Sequence, residues 1–167
     1  MMLREEAPVH RVVISNDIEK LYYLRSDRIV IRKLGDLHSP LANIEEDHTT
    51  FQSIDVSRDN RFVAVGLSKD GANELRLLNS LNLNVAKTIT DFDNAGTIRY
   101  LSFSPDGKHI AVAHSDSNVY VFGVDDESKV VLGGHDGAVT CVKYLADNNR
   151  LLAGDSQGQV RLWDVVN

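Results

Sequence analysis

Histidine, cysteine and clustered carboxylates are the residues of this chain able to do chemistry, and their spacing argues against each of the usual uses. The six histidines, His10, His38, His48, His109, His114 and His135, fall largely in different segments. No pair of them has a metal-ligand spacing on one element, so no metal site is expected. Cys141, the one cysteine, lies in an apolar stretch with no histidine beside it and only Lys143 near in sequence. It reads as a packed thiol and not a nucleophile. The run Asp91-Phe92-Asp93-Asn94-Ala95-Gly96 begins like a calcium loop, but Ala95 replaces a ligand and Ser102 stands where the bidentate glutamate belongs. It is expected to cap a loop. No phosphate-cradling glycine loop and no nucleophile elbow occurs. The expectation is a protein without catalytic residues, metal or cofactor.

The elements that carry these residues are short apolar segments separated by turns, and they recur. Taking the end of each unit's first strand as a marker, Ile14-Ser15, Val56-Ser57, Phe103-Ser104 and Tyr144-Leu145 align, with spacings of 42, 47 and 41. After each marker comes a turn: Asn16-Asp17, Arg58-Asp59-Asn60, Pro105-Asp106-Gly107 and Ala146-Asp147-Asn148. Asp, Asn and Gly tolerate positive φ and suit tight hairpins. Four repeats, at about 9–50, 51–97, 98–138 and 139–167, fill the chain. Expected strands are 9–14, 20–24, 29–34 and a weak 41–44 in the first unit, then 51–56, 61–67, 74–79 and 85–90. They continue at 98–103, 109–113, 118–124 and 130–132, and end with 139–144, 151–154 and 159–164. The loop 68–73 reads as a little longer than its counterparts. Runs such as Phe62-Val63-Ala64-Val65 and Ile110-Ala111-Val112-Ala113 are apolar on both faces, as strands sandwiched between two sheets must be. Small residues at Ala64, Gly66, Ala111, Ala113, Ala153 and Gly154 allow neighbouring sheets to crowd an axis. The pattern predicts an all-β propeller.

The last unit opens with Gly134-His135-Asp136-Gly137 and closes with Leu162-Trp163-Asp164. A Gly-His followed by Trp-Asp in a unit of about 40–45 residues resembles the WD40-repeat family, in which each repeat forms a four-stranded blade. The resemblance implies a non-catalytic scaffold that binds proteins through its loops. Within the family the third and fourth units are most similar to the second propeller of the actin-interacting WD-repeat proteins that assist cofilin, which implies a role in cytoskeletal regulation. An enzyme built on a propeller is the alternative. His135, Trp163, Asp164 and Asp116 are the structural residues that the resemblance implies. In the fourth unit Ala153 and Gln157 stand where the family's Ser and Asp are expected, in the third Phe122 replaces Trp, and in the first Arg32-Lys33 stand in place of Trp-Asp. An incomplete polar network is therefore expected, with apolar packing holding the blades and Trp163 largely buried beside His135.

Family propellers usually have about seven blades, and four of that kind leave an arc with bare apolar faces at its ends. The first expectation is part of a larger propeller. The alternatives, in order, are a half-ring completed by a second copy and a closed ring of four. Residues 1–8, and Met1 to Arg4 in particular, are a candidate outer strand for the last blade, against the plain reading of a frayed terminus.

With 43% hydrophobic residues the chain can bury a core. No apolar run approaches the ~20 residues of a membrane helix, and Arg4, Glu5 and Glu6 fall where a signal peptide is apolar. One cysteine fits a reducing compartment, so a cytoplasmic or nuclear protein is expected. A formal charge of −6 speaks against nucleic acid. Family topology places the loops between repeats, and those between second and third strands, on one face, here called the loop face. By sequence it carries twelve carboxylates against four cations, a balance of −8. Glu45, Glu46, Asp47, Asp91, Phe92, Asp93 and Asp136 are the candidate partner-binding residues, and a protein partner of basic character is the expectation, against ordinary solvated loops.

Overall fold

Four turns cut the chain at matching places. In each, an aspartate accepts a backbone N–H from two residues on: Asp17 from Glu19, Asp59 from Arg61, Asp106 from Lys108 and Asp147 from Asn149, at 3.0, 3.0, 3.1 and 3.1 Å. The next residue takes positive φ: Ile18 (59°), Asn60 (59°), Gly107 (72°) and Asn148 (65°). Glycine and asparagine enter this region readily, whereas a β-branched isoleucine does so only when the surrounding turn imposes it. Serines 15, 57 and 104 reinforce three of the turns by donating to the same aspartates.

The computed structural model describes residue 5, residues 7–93 and residues 95–165, and the strand expected from Met1 to Arg4 lies outside these. Fifteen strands and no helix occur among the described residues. The first sheet holds β1 (Arg11–Ile14), β2 (Lys20–Leu24), β3 (Arg28–Lys33) and β4 (Asp36–Glu45). The second holds β5 (Thr49–Val56), β6 (Phe62–Lys69), β7 (Ala72–Asn79) and β8 (Val85–Ile89). The third holds β9 (Ile98–Phe103), β10 (His109–His114), β11 (Val119–Gly123) and β12 (Lys129–Leu132). The fourth has three strands, β13 (Val139–Tyr144), β14 (Arg150–Asp155) and β15 (Val160–Asp164). Each sheet is an antiparallel meander in sequence order, and the first strands β1, β5, β9 and β13 lie side by side on the inside. These are propeller blades arranged as a partial ring.

Some segments depart from the sequence expectations. The loop expected at 68–73 is a two-residue hairpin, because Asp70 (φ 50°) and Gly71 (φ 83°) supply the two positive φ values of the tightest turn and let β6 and β7 run on. The weak outer strand of the first unit is ten residues long and irregular in register. In β5, β9 and β13 the register slips at an equivalent place, around Gln52, Arg99 and Thr140, so each inner strand of blades two to four carries a bulge near its start.

Apolar clusters fill the three gaps between successive blades. Tyr22, Ile29 and Ile31 meet Ile54, Val63 and Leu67. Leu75 and Leu77 meet Leu101, Ile110 and Tyr120. Ala111, Ala113, Val119 and Val121 meet Val142, Leu151 and Ala153. Close approach depends on missing side chains: a Cβ on Gly66 would lie 2.5 Å from Ile98 Cγ2. Among the described residues no such cluster joins the fourth blade to the first, so the ring of four expected as the last alternative is not closed.

The two ends differ. Arg32 takes the position of Trp163 on the leading face of blade one and is 8% exposed. Its Nε donates to Tyr23 Oη (2.8 Å), one of its terminal nitrogens donates to Glu5 Oε1 (3.0 Å), and the other donates to the carbonyls of Leu37 and His38. Tyr23 also donates to Glu5, and Arg25 stands 3.6 Å away. That end is closed with polar bonds. At the other end Leu152, Val160 and Leu162 are 38%, 75% and 54% exposed, at positions equivalent to Ala111, Val119 and Val121, which blade four covers. Cys141 shares this face and is exposed, contrary to the expected packed thiol, because the bulge turns it outward and nothing described lies over it.

An apolar face that is bare among the described residues, bordered by an edge of β15 that has no partner strand among them, should self-associate. Light scattering at micromolar concentration is expected to show particles larger than a monomer, and Val160→Lys with Leu162→Lys should shrink them without lowering the melting temperature. A monodisperse monomer before substitution would show that water tolerates this face.

Candidate functional site

The loops that carry the candidate residues are fastened to one another in pairs. In blades two, three and four the amide of Asp70, Ser115 or Ser156, between second and third strands, donates to the carbonyl of His48, Thr97 or Ala138, which lead into the blade. The bonds are 3.1, 3.0 and 2.9 Å. Both loop sets thus form one face.

Two histidine–carboxylate pairs stand behind it. In blade three His114 Nδ1 lies 2.9 Å from Asp116 Oδ1, while Asp116 Oδ2 accepts from Tyr120 Oη (2.6 Å) and Oδ1 from the Asn118 amide (3.0 Å). Phe92 stacks on His114 at 5.3 Å and meets Tyr120 and Phe122 edge-on. The candidate contact residue Phe92 is therefore half-buried in an aromatic cluster. Gly96 is required here, since a Cβ would lie 2.6 Å from His114 Cε1. In blade four His135 Nδ1 lies 3.1 Å from Asp155 Oδ2, and Asp155 Oδ1 accepts the amides of Gln157 and Gln159, each at 2.9 Å.

The polar network of blade four is thus more complete than expected: with Gln157 in the usual acid position, Asp155 supplies the carboxylate from two residues earlier. It does not reach the tryptophan. Trp163 is half-buried, not largely buried: it packs on the cluster between blades three and four, but its blade lacks an outer strand among the described residues. Its ring lies 6.3 Å from that of His135, and its buried Nε1 has no acceptor among the described residues. Asp164 is exposed opposite Arg150 in the β14–β15 ladder.

Burial alone would push both carboxyls up, yet hydrogen bonds outweigh it. Those from Tyr120, His114 and Asn118 hold Asp116 at about 2, and those from the Gln159 amide, His135 and the Gln157 amide hold Asp155 at about 2. Burial and the Asp116 carboxylate push Tyr120 up to about 12. Either pair has the composition of a general acid–base dyad. Both histidine side chains are fully covered, however, so the pairs act as clasps.

The acidic surface is smaller than the loop count implies. Glu46 lies 2.5 Å from Arg76 and 3.3 Å from Lys69, Glu45 pairs with Arg28, and Asp91 and Asp93 hold Lys129 at 3.1 and 2.6 Å. Arg76 and Lys129 belong to strands and so escape a count of loop residues. Glu5, Asp116 and Asp155 are used internally. Asp47, Asp70 and Asp136 remain exposed with no cation beside them among the described residues, Asp136 accepting from the Gln159 amide group.

The model of the Vps8 β-propeller family matches residues 74–167, more than half of the chain. Among curated proteins, the chain is 27% identical over 161 residues to the WD repeat-containing protein 26 homolog of Arabidopsis thaliana, covering 93% of this chain and 26% of that protein. It is 30% identical over 136 residues to the target of rapamycin complex subunit LST8 of Saccharomyces cerevisiae, 79% of this chain and 45% of the relative. Over 77 residues it is 30% identical to WD repeat-containing protein 1 of Gallus gallus, 44% of this chain and 13% of the relative. The chain spans less than half the length of each of these relatives.

Two measurements probe the clasps. Trp163→Ala should cost roughly 2–3 kcal/mol in urea unfolding, below the ~3–5 kcal/mol of a fully buried tryptophan, while Trp163→Phe, which removes a donor without an acceptor, should cost under ~1 kcal/mol. The second is acid stability. Asp116 and Asp155 take a proton near pH 2 when folded and near their ordinary 3.8 when unfolded, so their stabilisation is full above about pH 4 and is lost as pH falls through 2. Melting temperatures recorded from pH 6 to 2 should fall in that window, and Asp116→Asn should lower the plateau and flatten the fall.

Proposed function

Because the chain belongs to the Vps8 β-propeller family, and with it to the WD-repeat propellers, we propose that it is a non-catalytic scaffold that binds protein partners through its loop face. The observation that carries this reading is the use of both histidine–carboxylate pairs as covered clasps beneath loops bonded to one another. The face they support is preorganised for docking and, among the described residues, both histidine–carboxylate pairs are covered. Asp47, Asp70 and Asp136 give it residual negative character, so a basic partner is favoured and its approach is steered by charge. The similarity to WD repeat-containing protein 1 and to the actin-interacting relatives makes cofilin-bearing actin filaments the first partner to try. A cytoplasmic location accords with that choice.

Co-sedimentation with cofilin-decorated actin filaments is the test. Binding is expected at low salt, weakening as the screening length shortens to about 8 Å at physiological ionic strength. A variant with Asp47→Lys, Asp136→Lys and Asp70→Asn should bind several-fold less; asparagine is chosen at residue 70 because it accepts the positive φ there. Binding that ignores both salt and substitution would reject the acidic-face reading, and no binding would reject the actin reading. Turnover of generic ester or phosphate substrates by purified protein would reject the scaffold reading itself.

A further inference from the structure

At the end of the inner channel opposite the loop face, the tips of β1, β5, β9 and β13 surround a cavity of about 330 Å3. Its wall is mixed: Val56, Phe103 and Pro105 give it an apolar side, Asn16, Asp55 and Ser104 a polar one, and two cations face it, Arg58 and Lys143. Lys143 holds the repeat position that Asp55 and Ser102 hold in the two preceding blades. There the position is committed to the next inner strand: Asp55 Oδ2 accepts the Phe103 amide at 2.8 Å, and Ser102 Oγ accepts the Tyr144 amide at 3.2 Å. A lysine ammonium has donors only and cannot repeat that bond. Neither Lys143 nor Arg58 has a hydrogen bond or ion pair among the described residues, whereas the cations around the loop face are largely tied to carboxylates. Asp55, the one acid in the wall among the described residues, is anchored on the Phe103 amide and is too far from Lys143 for an ion pair; burial pushes its carboxyl above the ordinary value, and the Lys143 charge offsets part of that rise.

A cavity of this size, at the lower end of the range for ligand sites, with two cations that make no hydrogen bond among the described residues beside an apolar patch, suits a small anionic group with hydrocarbon beside it. We propose that this channel mouth is a second binding site, which takes a peptide carboxylate between Arg58 and Lys143 and seats the neighbouring aliphatic side chain on Val56, Phe103 and Pro105. The site goes beyond the loop-face reading: it lies at the other end of the channel and selects the opposite charge.

Fluorescence anisotropy with three labelled pentapeptides tests it: Ala-Leu-Glu-Leu-Ala with an amidated end, Ala-Leu-Gln-Leu-Ala with a free carboxyl end, and Ala-Leu-Gln-Leu-Ala amidated. At least one of the first two is expected to bind saturably and at least tenfold better than the third, and which one does tells a side-chain carboxylate from a chain end. Lys143→Gln and Arg58→Gln should each weaken binding roughly tenfold, as expected for a charged hydrogen bond, and together abolish it, with circular dichroism unchanged because both side chains are exposed. The loop-face variant Asp47→Lys with Asp136→Lys should bind the peptide as before, which separates this site from the proposed docking face. Equal binding of the uncharged peptide, retained affinity in the double glutamine variant, or no saturable binding of any peptide would overturn the proposal.

Discussion

Two-sided apolar sheets are the constraint on which this structure depends. A strand such as Phe62-Val63-Ala64-Val65 has no face fit for water, so its sheet must have a neighbour on each side, and that neighbour inherits the same requirement. Burial of the three clusters between blades supplies the driving force. Side-chain bonds set the order of stacking at the inner strands: Gln52 accepts the Ile98 amide (3.0 Å), and Asp55 and Ser102 each accept an amide of the next blade. Such bonds add little net energy compared with apolar burial, but each gives an acceptor to an inner-strand amide at the seam.

On the loop face the same economy of polar groups governs the electrostatics. Carboxylates that look like a broad negative field in the sequence are largely consumed by strand-borne arginine and lysine or by histidine. What remains is a few separated charges over a rigid base. A surface of that kind favours orientation of a partner over simple attraction.

Local features of the fold were legible because they are written in short stretches. The four turns follow from Asp, Asn and Gly at a fixed distance from each marker, and the two-sided strands from unbroken apolar runs. Contacts between residues far apart were not. Nothing near Arg32 in sequence reveals that Glu5, 27 positions away, joins Tyr23 to satisfy a charge at the position that Trp163 holds in blade four. The same holds for Lys129 with Asp93 and Arg76 with Glu46, separated by 36 and 30 positions. Asp155 was overlooked because the family pattern looks for its acid at residue 157, although any carboxylate able to reach His135 serves. Cys141 was misplaced because a bulge breaks the alternation that a strand would otherwise impose.

The serial arrangement of the blades bears on how the molecule comes apart. Apart from Arg11 of blade one, which donates to the Arg99 carbonyl (3.2 Å) and lies over the Tyr100 ring of blade three, apolar packing joins each blade to its neighbours, so stability is close to a sum of blade and junction contributions. Blades two and three each have two apolar junctions, while blade one has one and a polar closure. Among the described residues, blade four has one junction and an uncovered face. Fraying therefore begins at the fourth blade, and amide protons there exchange with solvent through a shallower opening than those of β6 or β10, making the fold a graded chain of cooperative units instead of a single all-or-none body.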